Sequence, residues 1–350
     1  MDESGNSKSK DSKFHFISRL KPVPGIGILF ATLSGILFAI STSMVKYLDK
    51  INPFEILFFR SAVQLVIYLL LILYKRDNIK GSRDERLWML IDNLIGFAFL
   101  GLGYVAIRLI SLGDSSAIIF SSSVYASIFA RFILAEPCNI ISILCILIVI
   151  SGVFLISRPT FLFGTTHYSY SSFDRTLGLA LSLAASLSAA LYYVLLKRIR
   201  KTSTTVAMFW FSSTGALGSL VVLLIQGQFT IASTAKEWVL LITNGFVGTA
   251  GLFLLGFALK LEDAGPVSLA RTIDIVGAFI IQIAVFHDPA PWTSILGSVI
   301  IIFGVAVSVM RNYILNKMAR ITTKSTSNEP KNMQLEAVNS SQPISTISSQ

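Results

Sequence analysis

The sequence predicts an all-α membrane protein: ten transmembrane helices arranged as two inverted five-helix repeats. Three observations carry that expectation. The 350 residues are 53% hydrophobic and only 14% charged, with a mean hydropathy of +0.70, whereas a soluble domain carries roughly 25% charged residues. The apolar residues gather into ten runs, each close to the ~20 residues that cross a bilayer. The chain also matches itself when slid by 152 residues.

The runs justify themselves in order. The first, 25–45, follows a charged tail with no apolar stretch of its own, so it reads as an uncleaved anchor and not as a signal peptide. Runs 54–74 and 87–107 flank the basic segment from Lys75 to Arg86. Runs 115–134 and 138–156 are divided by Glu136-Pro137, and a proline past a helix end stops the helix there. Cys138 and Cys145, seven apart in the fifth run, match no metal spacing and read as small buried hydrophobes. Runs 176–196 and 205–225 flank the basic stretch Lys197 to Lys201. Runs 238–258 and 266–286 lie on either side of Lys260, and Asp288-Pro289 separates the ninth run from 291–310. Polar residues interrupt the third, fourth, eighth and ninth runs. Beyond about 320 the chain is rich in Ser, Thr, Asn and Gln, a composition that cannot bury enough apolar surface to fold.

The predicted organisation is a cytosolic tail (1–24), a first repeat (25–158), an outer loop (159–175), a second repeat (176–310) and a disordered cytosolic tail (311–350). Orientation follows from the basic residues. With the N-terminus inside, the inner segments hold 21 Lys and Arg and the outer segments 6, which is the positive-inside asymmetry. That distribution also accounts for the net charge of +10 without nucleic acid. Both termini are then cytosolic, and the sequon at Asn339 faces the wrong side for use.

At the 152-residue offset, Gly113, Ser116, Pro137 and Gly152 each meet an identical residue. Glu136 meets Asp288, Arg108 meets Lys260, Asp92 meets Asn244 and Gly96 meets Gly248. At an offset of 151, Gly27 meets Gly178 and Lys46 meets Lys197. Five spans per half is an odd number, so the second half enters the membrane upside down. Inverted repeats around a midplane site are a common architecture of secondary transporters.

The segments "FFRSAV" (58–63), "YVAIRLISLGDSSAIIFSS" (104–122), "AEP" (135–137) and "GVFLISRP" (152–159) resemble the EamA-type half of the drug/metabolite transporter superfamily. "SRPTFLFG" (157–164) and "ARTIDIVGAFIIQ" (270–282) resemble subfamily G of the solute carrier 35 proteins more particularly. The resemblance covers about 25–310. It implies ten helices in two inverted repeats with a solute path between them, and solutes drawn from nucleotide sugars, metabolites and drugs. One departure stands out. Relatives often carry a proline in the fourth helix where this chain has Ser123, so that helix is expected to be straighter here.

Candidate site residues are the polar ones inside spans. A charge at mid-bilayer costs about 2.5–3.5 kcal/mol on insertion scales. Asp274 lies eight residues past Pro266, about 12 Å along a helix and so near the midplane. Arg271, Asp274, Ala278 and Gln282 share one helical face. The first two form either a salt bridge that fixes the ninth helix or a pair that binds solute or a proton. In the other repeat their places fall to Ile119 and Ser122, so the facing wall is expected to be Ser121, Ser122 and Ser123 with Tyr125. Arg60 either snorkels or pairs with Glu55, or meets solute. Asp92 and Asn244, each near a glycine (Gly96, Gly248), form polar clasps at helix crossings or contact solute. Tyr192 and Tyr193 read as an interfacial aromatic belt.

There is no G-x-x-x-x-G-K stretch and no His/Cys cluster. Neither ATP hydrolysis nor a metal enzyme is expected, and no cofactor. The leading expectation is a secondary transporter of a small, anionic organic solute (a metabolite, carboxylate or nucleotide sugar) working by alternating access. The alternative is a non-transporting regulator or adaptor that binds other membrane proteins, for example in calcium homeostasis, with the polar C-terminal tail as its docking segment. Expected partners are the solute and the bilayer, with a homodimer or a membrane-protein partner also open. The expected location is the plasma membrane or the endoplasmic reticulum.

Overall fold

The structure, a computed structural model, describes residues 26–134, 140–157, 172–199, 202–227, 229–230, 232–261, 270–307 and 310. The two tails, residues 158–171, Glu136-Pro137 and the Ser123 side chain lie outside the described residues. The first repeat holds α1 (Ile26–Tyr47), α2 (Pro53–Lys75), a 3-10 turn (Arg83–Glu85), α3 (Arg86–Leu109), α4 (Leu112–Phe120), α5 (Ser122–Leu134) and α6 (Ile140–Ser157). The second holds α7 (Ser172–Arg198), α8 (Thr204–Gln226), α9 (Ala235–Leu261), α10 (Ile273–Ala284) and α11 (Trp292–Val307). Among the described residues, six helices are long and apolar enough to cross a membrane: α1, α2, α3, α7, α8 and α9.

Local chemistry sets the ends. Asn52 caps α2 by accepting from the Phe54 N–H at 3.0 Å, with Pro53 in the first turn, where its missing N–H costs nothing. Gly227, at φ 63°, ends α8 in the left-handed region that glycine adopts without strain. The outer surface carries Leu70, Leu73, Leu224, Ile225 and Phe303, while the contacts between helices are made by Ala31, Ser34, Ala185, Ser186 and Ala189. This inside-out distribution suits lipid, where helices gain by close packing of small residues and not by hiding leucines.

The helix pairings respect a two-fold exchange of the halves. α1 packs on α9 as α3 packs on α7. α2 packs on α9 as α8 packs on α3. α10 packs on α1 as α4 and α5 pack on α7. α2 meets α8 and α4 meets α10 across the axis. Gly152 of α6 and Gly297 of α11 meet backbone to backbone: a Cβ on either would come within 2.7–2.8 Å of the other's carbonyl oxygen.

The run predicted as the fourth span is divided, contrary to the expectation drawn from its missing proline. Ser121, at φ −60° and ψ −14°, separates α4 from α5. Its hydroxyl donates to the Ile118 carbonyl, and the Val124 N–H reaches back only three residues to Ser121. A serine that bonds its own helix backbone bends the helix without a proline. The second half repeats the feature. Thr272 has φ −60° and ψ −13°, and the N–H groups of Asp274 and Ile275 bond three residues back. The tightening to 3-10 spacing ends one segment and starts the next.

Candidate functional site

The polar side chains of the interior lie along the seam where the halves meet. On α2, Arg60, Gln64 and Tyr68 recur every four residues and are all buried. Arg60 is 3% exposed, and its Nη1 donates to the Tyr104 hydroxyl of α3. The guanidinium carbon stands 5.8 Å from the Tyr104 ring centre. Gly248 of α9 makes room for it, since a Cβ there would lie 2.8 Å from Arg60 Nε. That Nε has no partner, and no carboxylate among the described residues forms an ion pair with Arg60. The expected pairing with Glu55 does not form. Glu55 accepts instead from the Thr230 N–H and hydroxyl, at 3.1 and 2.8 Å. Snorkelling is also excluded, because the group is sealed in at Tyr104.

Arg271 and Asp274 lie near each other without an ion pair among the described residues. Arg271 sits on the turn before α10, whose 3-10 spacing still sets residues three apart on one face: the Asp274 N–H bonds the Arg271 carbonyl at 3.0 Å. Its guanidinium carbon lies 4.9 Å from the Phe38 ring centre of α1 and 5.6 Å from that of Phe120 at the end of α4. Such cation–π contacts hold arginine in an apolar setting without a counter-charge. Arg271 Nε and Asp274 Oδ1 are both buried without a hydrogen-bond partner. Arg271 stays within electrostatic reach of Asp274. Two rings also hold it, Phe38 of the first helix and Phe120 at the end of α4.

The wall of hydroxyls has other employment. Ser121 is fully buried and bonds Ser186 at 3.0 Å, beside a second serine contact, Ser115 to Ser182 at 3.1 Å. Ser122 is buried, and Tyr125 packs into a cluster with Cys145, Val149 and Ile156. The side chain brought against Arg271 is Phe120. Gln282 is fully buried: it accepts from the Gly113 N–H at 3.0 Å and donates to the Asp288 carbonyl at 3.3 Å, so it braces α10 against α4.

Asn244 accepts from the Ser41 hydroxyl, and its Nδ2 has no partner. Asp92 is 2% exposed, with Oδ1 unpartnered. One turn on, Gly96 admits the rings of Tyr192 and Phe211: a Cβ there would lie 3.0 Å from Tyr192 and 2.5 Å from Phe211. Tyr192 is not part of an interfacial belt. It is 6% exposed and packed between Tyr193 and Phe211, with ring centres 5.5 Å from each. The 151-residue offset aligns Ser41 with Tyr192 and Arg60 with Phe211. Hence Ser41–Asn244 and Tyr192–Asp92 are counterparts, as are Arg60–Gly248 and Phe211–Gly96. Gln64, Tyr104, Phe38 and Phe120 escaped the sequence reading; the four-residue recurrence on α2 was the available signal for Gln64.

Where α1 and α3 end, a cavity of about 590 Å³ is lined by Lys46, Lys50, Arg108 and Lys236, with Asp49 and Glu237. Lys46, at the end of α1, donates to the Ile107 and Ile110 carbonyls that end α3. Arg108, at the end of α3, donates to the Leu48 and Ile51 carbonyls that follow α1. Each helix thus supplies the cation that the other's C-terminus favours.

Comparison with known proteins places this geometry. A model of the EamA-like transporter family matches residues 25–158 and again 176–310. Human "Solute carrier family 35 member G1" is 30% identical over 284 residues, covering 80% of this chain and 78% of that protein. The "Pseudopaline exporter CntI" of Pseudomonas aeruginosa is 28% identical over 252 residues, covering 71% of this chain and 84% of that one. A crystal structure superposes with a TM-score of 0.57 at 16% identity, over 83% of this chain and 97% of that one, which is a likeness of fold.

Proposed function

The chain belongs to the EamA-like transporter family, a family of multi-pass membrane proteins, and from that premise we propose that it carries a small anionic organic solute across the bilayer by alternating access. One observation carries the anionic reading. Arg60 stands at the seam between the halves with no carboxylate partner among the described residues, and Arg271 is held there by two rings, with Asp274 close by but not hydrogen-bonded to it. A buried cation is retained at a cost of several kcal/mol, and an anion that neutralises it there is bound by the same term. A guanidinium matches a carboxylate or phosphate with two parallel donors. The four cations around the outer cavity favour the approach of the same class of solute.

The reading includes ten spans, with α4 and α5 forming the fourth and the two halves inverted. The symmetric pairings of the helices support it. Asp92, Asn244, Asp274 and Gln64 complete the polar seam around the solute path, while Gln282, Ser121 and Tyr125 hold its frame. Both termini face the cytosol, at the plasma membrane or the endoplasmic reticulum. A cysteine placed at Ser171 is expected to react with an impermeant reagent on the outer face, and one at Ser203 to be protected. The reverse pattern overturns the orientation.

Transport is tested in proteoliposomes with acetate, succinate and tricarballylate against glucose as a neutral comparator. Saturable uptake of at least one carboxylate, with none of glucose, is the expected result. Failure of all three carboxylates rejects the anionic reading.

A further inference from the structure

We propose that Asp92 is a proton-binding site, neutral while it is buried, and that its release of the proton couples solute movement to a pH gradient. The coupling half of this inference rests on the transport reading above; the proton site does not.

Asp92 is 2% exposed and its Oδ1 finds no donor. An ionised carboxylate so placed needs a cation or several N–H donors, and the surrounding elements supply neither. From α7 it faces Tyr192, which lies within electrostatic reach of Tyr193 and of Tyr68 on α2. Helix α8 carries no charged residue. The cations on the packed elements are engaged elsewhere. Arg60 bonds Tyr104, which is 12 residues along α3 from Asp92, about 18 Å of helix. Arg86 of α3 donates to the Lys80 carbonyl, Lys75 of α2 to the Thr205 hydroxyl, and Arg198 of α7 lies over the Trp88 ring. Lys46 of α1 and Arg108 are held at the outer helix ends. The acids Glu85 and Asp114 stand at the two ends of α3, where Glu85 binds Thr202.

The two-fold relation supplies the second argument. The counterpart of Asp92 is Asn244, and the counterpart of Tyr192 is Ser41. Asn244 and Ser41 form a neutral amide–hydroxyl contact in the same setting of the other half. The scaffold therefore builds a place for a neutral polar group, and a protonated carboxyl is the near-isostere of the amide that fills the mate. Opening of that end of the seam to water lets the proton leave Asp92 for solvent, and re-burial requires it back.

The test begins with Asp92→Asn, which copies the counterpart and is expected to fold normally. Infrared spectra of the purified wild type at neutral pH are expected to show the carbonyl stretch of a protonated carboxyl that Asp92→Asn removes. A spectrum in which the variant and wild type share that band overturns the proton site. In proteoliposomes, a pH gradient is expected to drive accumulation of succinate by the wild type. The variant is expected to lose gradient-driven accumulation, and whatever counterflow it keeps is expected to be independent of pH. Accumulation that survives in the variant overturns the coupling. Absence of any carboxylate movement by the wild type rejects the anionic reading, and with it the coupling test on succinate, and leaves the infrared band to decide the proton site.

Discussion

Gly297→Leu is expected to abolish the folded protein, or to cost about 3 kcal/mol or more if a folded fraction survives, the upper end of what overpacking costs. The obstruction is backbone. A Cβ on Gly297 would stand 2.7 Å from the Gly152 carbonyl oxygen and 2.8 Å from Ile156 Cγ1, and the facing Gly152 has the same problem in return. A side chain can rotate away from an intruder, whereas a carbonyl in a helix cannot move without breaking its own hydrogen bond. The two helices must separate, and Ile156, Ile301 and Val305 of the adjoining cluster lose contact with them. Gly256→Leu is the control. It lies on α9 with nothing within 4 Å of a built Cβ, and removing a helical glycine gains about 0.5–1 kcal/mol. The measurement is the thermal midpoint of the detergent-solubilised protein by size-exclusion. Equal midpoints for the two variants would contradict the close crossing of α6 and α11.

Arg60→Gln is expected to preserve the fold and weaken transport of carboxylates. Removing one member of a buried ion pair strands the other charge at about 3–5 kcal/mol. Arg60 has no such partner among the described residues, so its neutral replacement strands no acid and leaves only the Tyr104 hydroxyl to find another bond. The counterpart Phe211 shows that the scaffold accepts an uncharged residue in that setting. A hydrogen bond to a charged group is worth about 1.5–3 kcal/mol, so the apparent affinity for succinate should fall roughly 10- to 150-fold at about 1.4 kcal/mol per decade. Succinate uptake at the wild-type rate and affinity would remove Arg60 from the solute path.

The long helices were legible because lipid imposes a simple length rule. Predicted runs 54–74 and 205–225 became Pro53–Lys75 and Thr204–Gln226. The breaks at Ser121 and Thr272 were not legible. Hydropathy does not register a hydroxyl that competes for a carbonyl one turn back, and the absent proline argued the wrong way. Arg271 and Asp274 looked like partners because residues three apart share a helical face. The 3-10 turn at 271–272 keeps them on one face, but the rings that hold the guanidinium, Phe38 and Phe120, come from segments distant in sequence and could not be read from that face. Tyr192 looked interfacial from its distance to a predicted helix end. The space that buries it is made by Gly96 on another helix, which only the packing of α3 on α7 reveals.

The exchanged caps where α1 and α3 end make those ends one mechanical part. Splaying them would deprive the Leu48, Ile51, Ile107 and Ile110 carbonyls of their cations together. A lever welded in this way can tilt but cannot fork. The opposite rim is fastened more lightly, by the exposed hydrogen bond from Lys236 at the start of α9 to the Tyr47 hydroxyl. The first of these contacts is a weld and the second a latch; under the proposed transport cycle the mouth of the cavity beside them is expected to widen by release of Lys236 from Tyr47.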